Sequence, residues 1–246
     1  MSSSELQLVE DGSALAERAA RWVHDRAWAA VQARGRFTIA LSGGSTPRAL
    51  YRRLASGPPL PWDKAELCFG DERPVGPDDP QSNARMVREA LTGQAFVPPD
   101  KVHRIEGERP PAEAASRYEQ TLRRIFPGTT TFPRFDLVLL GLGPDGHTAS
   151  LFPHSAALAE RDAWVVANWV EKLHAHRITL TYPVFNAAAE VLFLVSGSDK
   201  SWALNQVLHG EAGVEDVPAR GIQPVNGRLT FLVDRAAAAG LGKSAG

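Results

Sequence analysis

Short apolar runs alternate with amphipathic segments along this chain, and the alternation predicts its secondary structure. Residues 13–34 place apolar side chains at helical spacing among charged ones, with Ser13 as the expected N-cap and Gly35 as the stop. Further helices are predicted over residues 48–55, 83–91, 110–125, 200–208 and 234–239. Strands are predicted over residues 37–41, 65–69, 102–105, 137–140, 163–170, 177–181, 190–196 and 229–233.

The order of these elements predicts the fold class. Strands separated by helical segments of about 10–15 residues are typical of βαβ units. We therefore expect an α/β protein with a largely parallel sheet covered by helices on both faces. The sequence contains no internal repeat, low-complexity tract or interdomain linker, so we expect residues 1–246 to form a single domain.

Composition excludes several classes of function. Lys and Arg number 27 against 28 Asp and Glu, so the chain lacks the basic footprint of a nucleic-acid-binding protein. Residues 1–13 lack the basic and apolar regions of a signal peptide, and no stretch approaches the about 18 apolar residues that span a bilayer. We expect a cytoplasmic protein with no nucleic-acid or membrane partner. Cys68 lies in an apolar run and is expected to be buried and unreactive.

The loop at residues 42–47 reads SGGSTP and connects a predicted strand to a helix. Its glycines let backbone N–H groups converge on an anion, the hydroxyls of Ser45 and Thr46 add donors, and the helix N-terminus adds partial positive charge. The loop therefore suits a phosphate, although an ordinary strand-to-helix turn is the alternative. It is not a Walker loop, because the spacing and the lysine of that motif are missing.

Residues 135–153 carry an Asp and a His in a glycine-rich loop that follows an apolar run. The sequence GLGPDG formally satisfies the dinucleotide motif G-x-G-x-x-G, but a carboxylate at Asp145 would face the pyrophosphate. In the catalytic alternative, His147 is a general base or acid, and Asp145 fixes its tautomer. A helical turn beginning at Thr148 would favour the neutral imidazole. A capping or packing role for His147 is the third alternative.

Charged residues also follow or begin other predicted strands and helices. Asp71 and Arg73 lie in a GDER segment directly after an apolar strand, where they line either a site or solvent. Arg177 begins a strand and Lys200 begins a helix, so each could reach a ligand at the edge of the sheet or remain a surface charge.

His174 and His176 alternate just before the strand that begins at Arg177, which raises the question of a metal. No third ligand has suitable spacing, so we expect no metal site.

Six blocks of sequence together resemble the 6-phosphogluconolactonase family. They are SGGSTP at 42–47, GDER at 70–73, GLGPDGHTASLFP at 141–153, RITLTYPVFNAA at 177–188, GSDK at 197–200 and QPVNGRLTFLVD at 223–234. The resemblance implies a Rossmann-like α/β/α sandwich shared with glucosamine-6-phosphate deaminases. It also implies hydrolysis of 6-phospho-D-glucono-1,5-lactone to 6-phosphogluconate, a step of the oxidative pentose phosphate pathway, by a monomer without metal or cofactor.

The resemblance also implies roles for individual residues. His147 would be the general base that activates water, and Asp145 would orient it. Asp71 and Arg73 would face the sugar ring and its hydroxyls. The residues that would bind the phosphate are Gly43, Gly44, Ser45, Thr46, Arg177 and Lys200.

The nearest alternative is a glucosamine-6-phosphate deaminase, whose corresponding loop carries a glutamate that supports the histidine. Here that position is Phe152, which cannot transfer a proton. A sugar-phosphate sensor without catalysis is a second alternative. The chain departs from the lactonase pattern at residues 173–176, where LHAH replaces a proline-rich approach to Arg177.

Overall fold

The computed structural model describes residues 4–241. The strands are β1 Glu5–Val9, β2 Phe37–Leu41, β3 Ala65–Phe69, β4 Asp71–Glu72, β5 Val102–His103, β6 Leu137–Gly141, β7 Val165–Val170, β8 Ala175–Leu180, β9 Glu190–Val195 and β10 Arg228–Asp234. The helices are α1 Gly12–Arg34, α2 Ser45–Ser56, α3 Asn83–Val87, α4 Pro111–Ile125, α5 Tyr182–Ala187, α6 Ser201–His209 and α7 Arg235–Ala238.

Within this range the main sheet has seven strands in the order β1-β10-β9-β6-β2-β3-β5, and every neighbouring pair is parallel. All residues of β2 and β9 are buried, as expected for parallel strands covered on both faces. Helices flank the sheet. The predicted α/β class with a largely parallel sheet is therefore confirmed.

The strand order reverses direction beside β2, and this reversal determines where a ligand can bind. The chain moves from β2 to β3 on one side, whereas β6, β9 and β10 follow on the other. The loops that leave β2 and β6 therefore separate at their carboxyl ends and open a crevice, which is where ligands of open α/β sheets bind.

A second sheet has three antiparallel strands in the order β4-β8-β7. Asp71 pairs with Thr179 and Glu72 with Ile178, so the GDER segment is in part a strand and not only a loop. The sequence did not predict this sheet, because β4 has two residues and its partner lies about a hundred residues later in the chain.

Several predicted helix boundaries change. Asp11, not Ser13, caps α1, since its Oδ1 accepts a 2.8 Å hydrogen bond from the Ala14 N–H. Gly35 ends the helix in the left-handed conformation, as predicted. Helix α2 begins at Ser45, three residues before its predicted start, while β1 and α5 were not predicted.

The core contains Cys68, which is fully buried, as predicted. Burial raises the pKa of its thiol, so the thiolate form is disfavoured. None of the helices in the described range combines the length and apolarity needed to cross a lipid bilayer.

Candidate active site

A cavity of about 200 Å³ lies at the carboxyl ends of the neighbouring strands β9, β6, β2 and β3. Because these strands are parallel, the loops that follow them meet at one edge of the sheet. Eight of the ten predicted site residues line the cavity: Gly43, Gly44, Ser45, Thr46, Asp71, Arg73, His147 and Lys200. Asp145 and Arg177 lie outside this lining.

The loop after β2 presents the N-terminus of α2 to the cavity. Gly44 has φ 107°, a conformation that favours glycine, and its carbonyl accepts the 3.1 Å hydrogen bond from the Arg48 N–H. The N–H groups of the first helical turn have no partner within the helix and, with the helix dipole, favour an anion. The buried Tyr51 hydroxyl fixes the start of the loop, accepting from the Ser42 N–H at 2.9 Å and donating to its carbonyl at 2.8 Å.

A buried polar network connects the start of α3 with Asp71 on β4 and with the loop that carries His147. The Asn83 amide donates to the Asp71 carbonyl at 2.9 Å and to Asp71 Oδ1 at 3.3 Å. Ser150 Oγ donates to Asp71 Oδ2 at 2.6 Å. A Cβ on Gly43 would lie 2.0 Å from Asn83 Oδ1, so the glycine permits this close approach. The Asp71 carboxylate is thus held between the first residue of α3 and the loop that carries His147.

Glu72 points away from the cavity and caps α3. Its carboxylate accepts from the Asn83 N–H at 2.7 Å and the Ala84 N–H at 2.8 Å. Burial raises the pKa of Glu72, and these backbone bonds oppose the rise.

His147 and Asp145 form a hydrogen-bonded pair beside the cavity. Asp145 Oδ1 lies 2.5 Å from His147 Nδ1, and Lys172 Nζ donates to Asp145 Oδ2 at 2.9 Å. Burial raises the pKa of Asp145, but the hydrogen bond and charge of His147, followed by the bond from Lys172, hold it well below its usual range. An ionised Asp145 accepts from Nδ1–H, which leaves the Nε2 of the neutral imidazole as a proton acceptor.

The ring of His147 has one face against Phe152 and its edge against Gly143. The Phe152 ring stacks at a centroid distance of 4.1 Å and an interplanar angle of 19°. A Cβ on Gly143 would lie 2.0 Å from His147 Nδ1, so any other residue there would displace the imidazole.

The backbone after His147 is a tight turn and not the helical turn that the sequence suggested. Thr148 and Leu151 form an isolated antiparallel bridge, and Ala149 between them has φ 47°, a left-handed conformation uncommon outside glycine. The expectation of a helix N-terminus beside His147 is therefore wrong. The dinucleotide interpretation also loses its basis, because no helix follows the glycines at 141–146 to receive a pyrophosphate.

The two predicted cations occupy different positions. Lys200 lines the cavity and lies 2.9 Å from Asp199. Arg177 lies on β8, and its Nη1 donates to the His176 carbonyl at 2.8 Å. Burial, followed by the charge of Arg73, lowers the pKa of the Arg177 guanidinium, while Asp71 and Glu72 oppose this. The pairing of Glu72 with Ile178 places Arg177 near Arg73, and Arg177 lies outside the cavity lining.

Sequence reasoning missed three polar residues at this site: Asn83, Ser150 and Lys172. Ser150 follows His147 by only three positions, so its place in a catalytic loop was a usable signal. Asn83 and Lys172 gave no local signal, because each reaches the site only through folding. Among residues 4–241 no group of three or more His, Cys, Asp or Glu side chains is placed to hold a metal ion.

The LHAH segment covers the end of a β-hairpin turn and the first two residues of β8. His174 has φ 44° and ends a short turn over Glu171–Leu173, while Ala175 and His176 pair with β7. Proline could not adopt the left-handed φ of His174, and it has no N–H to donate where Ala175 and His176 pair with β7. The departure from a proline-rich approach therefore corresponds to a regular hairpin that leads into Arg177.

Known proteins similar to this chain share both its sequence and its fold. The family model described as glucosamine-6-phosphate isomerases/6-phosphogluconolactonase matches residues 10–231. A 6-phosphogluconolactonase of Nostoc sp. is 44% identical over 240 residues, covering 96% of this chain and 98% of the relative. The structure of 6-phosphogluconolactonase from Trypanosoma brucei has a TM-score of 0.85 at 28% identity and covers 98% of this chain and 100% of its own.

The fold alone does not separate the two activities in the family's name. The structure of a monomeric glucosamine-6-phosphate deaminase reaches a TM-score of 0.79 at 22% identity, covering 96% of this chain and 99% of its own, which shows a shared fold. The family match spans most of the chain, and the Nostoc relative matches almost all of it. This chain therefore belongs to the glucosamine-6-phosphate isomerase/6-phosphogluconolactonase family.

Proposed function

We propose that this protein hydrolyses 6-phospho-D-glucono-1,5-lactone to 6-phospho-D-gluconate, a step of the oxidative pentose phosphate pathway. The observation that carries the proposal is the His147–Asp145 pair beside a cavity that also contains the glycine loop and the N-terminus of α2. A candidate base, His147, and a candidate phosphate-binding loop, residues 43–46, thus line the same cavity. The proposal includes a single domain that acts as a monomer.

The phosphate would bind at the loop after β2. Gly43 and Gly44 supply backbone N–H groups, Ser45 and Thr46 add hydroxyls, and Lys200 adds a full charge from the loop after β9. Arg177 would contribute from β8, near Arg73. Binding energy from a group remote from the lactone carbonyl can then be used to orient the reacting carbon.

His147 would act as the general base. Its Nε2 takes a proton from water as the water oxygen attacks the lactone carbonyl carbon, and a tetrahedral oxyanion forms. The bond from this carbon to the ring oxygen then breaks, and the proton on Nε2 passes to that oxygen, which becomes a hydroxyl. Asp145 holds the imidazole in the required tautomer and stabilises the imidazolium formed during the attack.

Asp71 and Arg73 would face the hydroxyls of the sugar ring, since both line the cavity between the phosphate loop and His147. The hydrogen bonds from Ser150 and Asn83 leave Asp71 an ordered carboxylate that can accept further bonds.

Phe152 favours lactone hydrolysis over deamination. Its ring lies against the face of His147 at the position where the deaminase pattern has a glutamate. An aromatic ring can support the imidazole by stacking but cannot carry a proton, so ring opening of an amino sugar would lack its acid.

The test measures acid release from freshly prepared lactone above its spontaneous hydrolysis, at constant pH. We expect His147→Ala to lose at least about a hundredfold in kcat, because general base catalysis contributes roughly that much, while its affinity for 6-phosphogluconate stays within threefold. Wild-type protein that binds the product but does not accelerate hydrolysis would instead favour the sensor. Ammonia release from glucosamine 6-phosphate would favour the deaminase.

A further inference from the structure

A lysine from the second sheet contacts the carboxylate that orients His147. Lys172 lies in the turn of the hairpin between β7 and β8, and its Nζ donates to Asp145 Oδ2 at 2.9 Å. The other oxygen of Asp145 is bonded to His147 Nδ1 at 2.5 Å and to the His147 N–H at 3.3 Å. Both oxygens of Asp145 are therefore engaged, one by His147 and one by a cation from a distant part of the chain.

We propose that Lys172 is a positioning residue that fixes the Asp145 carboxylate and, through it, keeps the imidazole of His147 aligned with the lactone. This inference rests on the proposed function. Lys172 is not among the residues that line the cavity, so its role is indirect. It acts because a carboxylate held at both oxygens cannot rotate away from Nδ1 toward water.

The hairpin is ordered enough to place this lysine. Trp169 Nε1 donates to Glu171 Oε2 at 2.7 Å, and its ring meets the edge of His176 across the two strands at a centroid distance of 5.0 Å. At the base of the hairpin, the buried Asn168 amide donates to the Ser150 carbonyl at 2.9 Å. The hairpin is thus attached to the same loop that carries His147.

Lys172 should contribute little to the stability of the fold. Its side chain is 68% exposed, and an ion pair with such an exposed partner contributes little to the free energy of unfolding. Its removal should therefore leave the fold intact, and any effect on turnover should come from Asp145.

Lys172 is the cation that is bonded to the Asp145 carboxylate. Charged groups of the segments around His147 and Asp145 are Asp71, Arg73, Lys172, Lys200, Glu215 and Asp216. Lys172 is the one with a hydrogen bond to Asp145, while Asp216 pairs with His154 at 3.4 Å. Substitution of Lys172 therefore removes the charged partner of Asp145 Oδ2 and leaves the contact of Oδ1 with His147 in place.

The experiment compares wild type with Lys172→Met, which keeps the apolar stem, and with Lys172→Arg, which keeps the charge. For Lys172→Met we expect kcat to fall roughly three- to tenfold while KM and the affinity for 6-phosphogluconate stay unchanged. Lys172→Arg should retain at least half of the wild-type kcat. Lys64→Met removes an exposed lysine on another part of the surface and serves as the matched control.

Two results would overturn the proposal: Lys172→Met with wild-type kcat, or a loss of product affinity equal to the loss of kcat. The last would mean that the hairpin had collapsed. Lactone hydrolysis by the wild type is measured first, and its absence would overturn the proposed function instead.

Discussion

At the scale of single residues, His147 lies where three neighbours restrict it. Asp145 bonds Nδ1, the Phe152 ring covers one face, and the main chain of Gly143 lies against the ring edge. The Gly143 N–H also donates to the His147 carbonyl at 2.8 Å, so the backbone and side chain of the histidine are both fixed. A base that is held in one rotamer and one tautomer does not have to reorient before it accepts a proton. This is the preorganisation that general base catalysis needs.

Gly143→Ala tests this restriction without removing any reactive group. The added Cβ would lie 2.0 Å from His147 Nδ1, so the imidazole must move. We expect kcat to fall about a hundredfold, since a displacement of about 1 Å can cost that much, while KM changes less than threefold. Steady-state kinetics on fresh lactone and the melting temperature give the two readouts.

The matched control for this substitution is Gly76→Ala, because a Cβ on Gly76 meets no atom within 4 Å. Wild-type kcat in Gly143→Ala would show that the imidazole tolerates displacement and would contradict the geometry argued for the base.

At the scale of elements, the phosphate would be held by α2 and by cations from two other segments. Lys200 lines the cavity after β9, whereas Arg177 on β8 lies near Arg73 and outside that lining. The two cations should therefore contribute unequally, although the family resemblance implies the same role for both.

We expect Lys200→Ala to raise KM roughly ten- to a hundredfold, in line with the loss of a charge-assisted hydrogen bond, and kcat to change less than threefold. Arg177→Ala should raise KM by a smaller factor, because Arg177 is not among the residues that line the cavity, whereas Lys200 is. Initial rates over a range of lactone concentrations measure both. Lys64→Ala is the surface control. The idea fails if KM of both variants equals that of the wild type.

The sequence predicted elements of regular periodicity and missed those that depend on distant partners. Strands β2, β3 and β9 were recognisable as apolar runs, and Gly35 marked the end of α1. The strand β4 has two residues, and its pairing with β8 gives no local pattern. The turn after His147 was misjudged because Ala149 adopts a left-handed angle that its own side chain does not favour, so only its surroundings can impose it.

At the scale of the whole molecule, the parallel sheet brings distant motifs together. The neighbouring strands β9, β6, β2 and β3 end at one edge of the sheet. They are followed, in that order, by the GSDK segment at 197–200, the His147 loop, the glycine loop at 42–47 and the GDER segment at 70–73. The sequence was therefore sufficient to predict that Gly43, His147 and Lys200 share a site. It could not predict the hairpin that brings Lys172 to Asp145, because that contact depends on an antiparallel sheet packed beside the main one.

Ligand-linked stability tests whether these loops act as one site. A ligand that binds only the folded protein stabilises it by about 2.7 kcal/mol at a hundred times its Kd, which for a chain of this size is roughly a 5–10 °C rise in Tm. We expect 6-phosphogluconate to produce this rise and gluconate, which lacks the phosphate, to produce less than a fifth of it. Thermal melts with each compound at one concentration make the comparison.

Two variants show which part of the site produces the rise in Tm with 6-phosphogluconate. His147→Ala should keep the rise, because in the proposed mechanism His147 acts at the lactone carbonyl and not at the phosphate. Lys200→Ala should lose most of the rise at the same concentration. Equal rises with gluconate and 6-phosphogluconate would show that the phosphate does not anchor the ligand. In that case the glycine loop would be an ordinary turn between β2 and α2, and the polar lining formed by Asp71 and Arg73 would have to supply the affinity.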